Sequence, residues 1–129
     1  MQIASSVLIF YPVRLTGKAY DKAREIGIPV YSDATLAEFA ETFVRPKFDK
    51  YILFEHRLAA IKTFERTGQN IRVFNHIDIC RDPKDNKYLE LAIEANAACI
   101  ISGDKDLLVL NPFQQIPILI AVEFLKQFS

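Results

Sequence analysis

The chain is short of every feature that assigns a protein quickly. Among 129 residues there are only two cysteines, Cys80 and Cys99, and neither belongs to a Cys-x-x-Cys pair. A disulfide scaffold and a structural zinc domain are thereby excluded. Charge of one sign is not in excess either: 16 Lys and Arg face 16 Asp and Glu, a formal net charge of zero. That balance argues against binding nucleic acid mainly through a broad basic surface. Low-complexity tracts, internal repeats and linker-like stretches are lacking. So are a Gly-x-Gly-x-x-Gly fingerprint, a Walker loop, a nucleophile elbow and a zinc-protease motif. The apolar first ten residues carry no basic n-region and run into Arg14 and Lys18, so neither a signal peptide nor a membrane span is expected. A cytoplasmic location is the simplest expectation.

What is present is a 50% hydrophobic, 25% charged composition, too apolar for a disordered chain. It predicts one compact domain over residues 1–129. The periodicities alternate between strand and helix. Val7, Leu8, Ile9 and Phe10 form a short apolar run suited to a buried strand, and Pro12 marks its exit. Leu15, Ala19, Ala23 and Ile26 then recur at helical spacing, with Gly27 as the stop. A β-prone run over 28–31 leads to Ser32 and Asp33, either of which can cap a helix whose face carries Leu36, Phe39, Ala40 and Phe43. Pro46 ends it.

A third helix over 53–66 is expected to bury Phe54, Leu58 and Ile61, with Gly68 as its stop, and a strand is expected at 71–74. Asp82-Pro83 opens a helix through Leu89, Ala92 and Ile93. A strand at 98–102, a turn of helix around Leu107, a strand at 117–120 and a helix at 121–128 complete the chain. Strands separated by helices predict an α/β fold: a mostly parallel sheet with helices on both faces.

In such a sheet, ligands collect beyond the carboxyl ends of the strands, and the segments there are acidic. Glu38 follows the second strand, Asp82 and Asp85 the third, Asp104 and Asp106 the fourth. At about 5 Å and an effective dielectric near 20, two carboxylates repel by roughly 3 kcal/mol. A gathering of them must protonate, find Lys or Arg, or bind a cation, and an all-carboxylate set suits a hard ion such as Mg²⁺ or Mn²⁺. That is the equipment of a metal-dependent phosphodiesterase.

Each acid also has a structural role open to it. Asp82 can cap the helix, and Asp85 can complement the helix dipole, although it stands four residues before Leu89 at the head of the buried stripe. Glu38 lies off its helix's apolar face, and Asp104 can cap the turn at Leu107. His76, Asp78, Cys80 and Asp82 alternate along one side of an extended segment, a spacing that a transition-metal site and a plain solvated strand share. Arg45, Lys47 and Lys50, with Phe48 and Tyr51 between them, suit either a phosphate backbone with a stacked base or an ordinary connection between helices.

Taken together, Ser32-Asp33-Ala34-Thr35-Leu36-Ala37-Glu38-Phe39, Arg45-Pro46-Lys47-Phe48, Arg81-Asp82-Pro83-Lys84-Asp85-Asn86-Lys87-Tyr88-Leu89-Glu90-Leu91-Ala92 and Ser102-Gly103-Asp104-Lys105-Asp106-Leu107 resemble the PIN-domain family. They look most like its toxin branch in bacterial toxin-antitoxin pairs, and the similarity runs in order through nearly the whole chain. The resemblance implies a five-stranded parallel sheet and a Mg²⁺- or Mn²⁺-dependent ribonuclease site built from four acids. Glu38, Asp85 and Asp104 match three of these as catalytic and metal-ligating residues, and Asp106 matches an auxiliary ligand. It also implies RNA, single-stranded or structured, as substrate, a small antitoxin protein and a homodimer as partners, and no membrane.

The sequence departs from the family pattern at its start. Where the family has Asp-Thr-Asn, this chain has Ala4-Ser5-Ser6. Alanine cannot coordinate a cation, so two functions follow from the resemblance. One is a metal-dependent ribonuclease with an altered site, in which Ser5 or Ser6 holds a metal-bound water. The other is a catalytically inactive PIN scaffold that binds protein or RNA.

Overall fold

The computed structural model describes residues 7–10, 18, 21–22, 25 and 27–128. Ala4, Ser5 and Ser6 lie outside the described residues, as does most of the helix expected over 15–26. Strand β1 spans Val7–Phe10 and β2 spans Ile28–Tyr31. Helix α1 covers Asp33–Phe43 and α2 covers Phe54–Thr67, with a single 3-10 turn at Pro46–Phe48 between them. The two-residue β3, Gln69–Asn70, precedes a 3-10 turn at Pro83–Asp85 and helix α3, Asn86–Ala95. Strand β4, Cys99–Ile101, the short α4, Lys105–Leu108, strand β5, Ile118–Leu119, and helix α5, Ala121–Phe128, follow. No helix among the described residues is long and apolar enough to cross a membrane.

Every pairing between these strands is parallel, and the lateral order is β3-β2-β1-β4-β5. The five-stranded parallel sheet that the resemblance implies is present only as short paired segments: β3 and β5 contribute two residues each. Period-2 alternation still sends side chains to both faces. Val30, Ile100 and Ile118 join Tyr88, Leu89, Ala92 and Leu107 in one core. Tyr31, Cys99, Ile101 and Leu119 join Phe39, Phe43, Ile61, Phe64 and Phe124 in the other. Helices therefore cover both faces, α3 and α4 on one, α1, α2 and α5 on the other.

Local chemistry sets the element ends. Ser32 is the N-cap of α1 in a reciprocal capping box: its Oγ accepts from the Thr35 backbone N–H, and Thr35 Oγ1 accepts from the Ser32 N–H at 2.9 Å. Gly68 ends α2 for a packing reason, since a Cβ there would sit 2.9 Å from the Phe64 carbonyl and 3.0 Å from that of Pro29. Asn96 closes α3 in the left-handed region at φ 50°.

Two sequence expectations change. Helix α2 is rotated, burying Arg57, Ile61 and Phe64, while Phe54 and Leu58 face outward. Arg57 turns inward because four acceptors wait for it: the carbonyls of Phe43, Arg45 and Ile52, and the Asp49 carboxylate. The strand expected at 71–74 is likewise displaced to 69–70. Ile71 N–H still donates to the Tyr31 carbonyl of β2 at 2.7 Å, and farther on the chain turns to side chains of α3: Phe74 and Asn75 N–H donate to Glu94, and Ile77 N–H to Glu90.

Candidate metal centre

Because all strands run the same way, their carboxyl ends share one edge, and the acids gather there. β4 exits through Ser102 and Gly103 into Asp104. The Ser102 hydroxyl accepts from the Asp104 N–H at 2.9 Å, and Asp104 in turn accepts from the Asp106 N–H at 2.8 Å. Asp104 is thus the N-cap of α4, and the same residue belongs to the acid cluster, so its two possible roles coexist. Asp82 caps the 3-10 turn by accepting from the Lys84 N–H. That turn carries Asp85 inward until it is 1% exposed. Asp85, Asp104 and Asp106 each offer one oxygen, and these oxygens all lie within 4.8 Å of one another.

The donor set fits a hard divalent cation. All three donors are carboxylate oxygens, the ligand type that such an ion takes. Among the described residues Asp106 pairs with Arg81, at 3.9 Å, but Arg81 is 88% exposed and its attraction is screened.

Glu38 stands apart from this cluster. Its carboxylate accepts from Lys87 Nζ at 2.7 Å and from the Tyr88 hydroxyl at 2.8 Å. It ties α1 to the first turn of α3, directly after Asp85. Lys87 and Tyr88 went unrecognised in the sequence. For Tyr88 a signal existed, its spacing of three and four from the buried Leu91 and Ala92; for Lys87, 49 residues from Glu38, none did.

Cys80, which the sequence offers only as one of an alternating set, lies within the field of these aspartates. Asn86 Oδ1 accepts from the backbone N–H groups of Ile79 and Cys80, drawing the end of the extended segment against α3. Burial pushes the Cys80 thiol up to about 11, helped by the fields of Asp85, Asp104, Asp106 and Asp82. The alternating set His76, Asp78, Cys80 and Asp82 does not converge: His76 and Asp78 are exposed while Cys80 is buried. Nor do they form a metal-holding group among the described residues.

A cavity of about 380 Å³ is bounded by Ser32, Asp33, Asn70, Arg72, Lys87 and Glu90. None of the three aspartates lines it. On the strand next to β4, Phe10 pairs with Ile101, so the carboxyl end of β1 is level with that of β4. Ala4 precedes β1 in the sequence.

Comparison with known proteins gives the family. An uncharacterized protein of Methanocaldococcus jannaschii, MJ1680, is 37% identical over 102 residues, which cover 78% of this chain and 65% of that protein. The chain thus spans less than two thirds of the length of that curated relative. No solved structure matches the chain. The family model described as PIN domain matches residues 19–106, more than half of the chain and a span containing Glu38, Asp85, Asp104 and Asp106. The chain belongs to the PIN-domain family.

Proposed function

We propose that this chain, as one PIN domain over residues 1–129, is a metal-dependent ribonuclease that hydrolyses RNA phosphodiesters. The family points to nuclease chemistry in general. The observation that carries the finer reading is the convergence of Asp85, Asp104 and Asp106 within 4.8 Å on the carboxyl edge. A Mg²⁺ or Mn²⁺ ion bound there supplies charge neutralisation for a phosphate and acidifies a water. Burial fixes Asp85 and the cap hydrogen bonds fix Asp104, so two donors are set before any ligand arrives. Asp106 completes the set by giving up a weak link to Arg81. Glu38 holds Lys87 and Tyr88 and thereby the start of α3. A toxin role with a small antitoxin partner, a homodimer and a cytoplasmic location belong to the same proposal and rest on the family resemblance.

The inactive scaffold is the second reading. Ala4 in the family's first acid position and the engagement of Glu38 by Lys87 and Tyr88 favour it. Cleavage of a labelled single-stranded RNA in Mn²⁺ separates the two. Activity that falls at least about 100-fold in Asp104→Asn, with its fold retained, is expected; that loss corresponds to about 2.7 kcal/mol of barrier. A chain that binds Mn²⁺ yet leaves RNA intact gives the scaffold reading, and cleavage unchanged in Asp104→Asn removes the acid cluster from the reaction.

A further inference from the structure

The connection between α1 and α2 is built more firmly than a simple link requires. Arg57 has no exposed surface and reaches back from α2 to hold it. Its Nη1 donates to the carbonyls of Phe43 and Arg45 at 2.9 and 3.0 Å, and its Nε to that of Ile52 at 3.1 Å. Its Nη2 pairs with the Asp49 carboxylate. One guanidinium thus fixes both ends of a ten-residue excursion and pairs with the one acid within it.

What this leaves pointing outward is cationic and aromatic. Arg45, Lys47 and Lys50 are exposed and make no ion pair among the described residues. Lys47 Nζ lies 5.2 Å from the Phe48 ring centroid and Lys50 Nζ 5.3 Å from that of Tyr51, which is 72% exposed. Phe48 is steadied from below by Phe43, at 5.8 Å between ring centroids. Leu53 and Phe54 widen the surface beside Tyr51. In a chain of zero net charge, three exposed cations interleaved with rings on a held loop match a polyanion that carries flat apolar faces. Cations that track a phosphate backbone beside a ring that stacks a base are the recurring means of gripping a single strand.

We propose that residues 45–51 form a docking site for single-stranded RNA, distinct from the acid cluster. The inference rests on the ribonuclease reading for its substrate. Helix α1 links the two regions: Glu38 on it meets the first turn of α3, and the loop follows its last residue, Phe43.

Binding is read by fluorescence anisotropy of a labelled, mixed-sequence single-stranded RNA in Mn²⁺, in an Asp104→Asn background that blocks cleavage, over a range of salt. Replacing Arg45, Lys47 and Lys50 together by Gln is expected to weaken binding by roughly tenfold or more. The slope of log K against log salt should fall by about 2, the value for removing three phosphate-binding cations from a single-strand site. Tyr51→Ala should weaken binding roughly fivefold or more and leave the slope alone. All four side chains face solvent, and melting curves of the variants check the fold. RNA that fails to bind at all, or that binds the triple variant with unchanged affinity and slope, overturns the docking site. That second result, with cleavage intact in the parent protein, leaves the ribonuclease reading standing. Binding that responds to these variants in a protein that never cleaves RNA leaves the docking site and removes the nuclease.

Discussion

A fully buried arginine must satisfy five N–H donors or bear the desolvation cost of each one left without an acceptor. Arg57 finds three carbonyls and a carboxylate, so replacing it with the apolar Met takes the donor from those carbonyls, while Asp49, whose side chain is 62% exposed, keeps its hydration. A loss of about 3 kcal/mol is expected, read as a lowered urea midpoint with an unchanged slope. A change under about 1 kcal/mol would show that water replaces the guanidinium and that the loop is not held as described. The thiols offer a second test at this scale. Burial raises Cys99 to about 12, and burial with the neighbouring aspartates raises Cys80 to about 11. Raised thiol values mean that the folded chain keeps its protons longer than the unfolded chain. Stability is therefore complete below the unfolded value of about 8.5 and is lost as pH climbs towards 11 and 12. Urea midpoints at pH 8, 9 and 10 should fall in that order, and replacing both cysteines with Ala should flatten the trend.

Elements show what a sequence can and cannot disclose. Helix α1 was legible because Ser32 caps it and Phe39 and Phe43 repeat along its buried face. Asp85, Asp104 and Asp106 were legible because parallel strands place everything after them on one edge. The face of α2 was not legible: Arg57 looks like a solvated residue until the carbonyls of Phe43 and Arg45, 14 and 12 residues away, are folded against it. Nor could spacing show that Glu38 would meet Lys87 and Tyr88 rather than the aspartates. The segment after β3 misleads for a related reason. Ile71 and Val73 alternate with Arg72 and Phe74 as in a strand, yet beyond Ile71, which still bonds to β2, Glu94 and Glu90 supply the acceptors for the Phe74, Asn75 and Ile77 N–H groups. The Asn75 side chain, then the Phe74 and Asn75 backbone N–H groups, hold the Glu94 carboxyl below its usual range. A depressed carboxyl stabilises above its unfolded value near 4.3, and that contribution is lost as pH falls through the lower folded value. Glu94→Ala should release the Phe74 and Asn75 amides, seen at pH 7 as hydrogen exchange faster by about tenfold, while amides of β4 stay protected. Equal acceleration in β4 would mean that this tether belongs to the global fold and not to a local strap.

At the scale of the whole molecule, a net charge of zero conceals a separation. Three aspartates crowd the carboxyl edge, while Arg45, Lys47 and Lys50 stand exposed beyond the end of α1. Crowded carboxylates oppose folding, because like charges about 5 Å apart repel and the unfolded chain separates them. A cation that binds only the folded cluster reverses the sign, adding RT ln(1 + [M]/Kd) to stability. At a hundred times Kd this is about 2.7 kcal/mol, which for a domain of this size raises the melting midpoint by on the order of 10 °C. Asp106→Asn separates the two effects. Its carboxylate is half-buried and pairs, among the described residues, with the exposed Arg81 at 3.9 Å, so little structure depends on it. Without metal the variant should melt at or above the parent, because a repelling charge is gone. With Mn²⁺ in millimolar excess it should gain less than half of the parent's increase, because a ligand is gone as well. Thermal melts of both proteins with EDTA and with Mn²⁺ decide the matter. A parent whose midpoint ignores Mn²⁺, or a variant that gains as much as the parent, would mean that these aspartates gather for some purpose other than holding a cation.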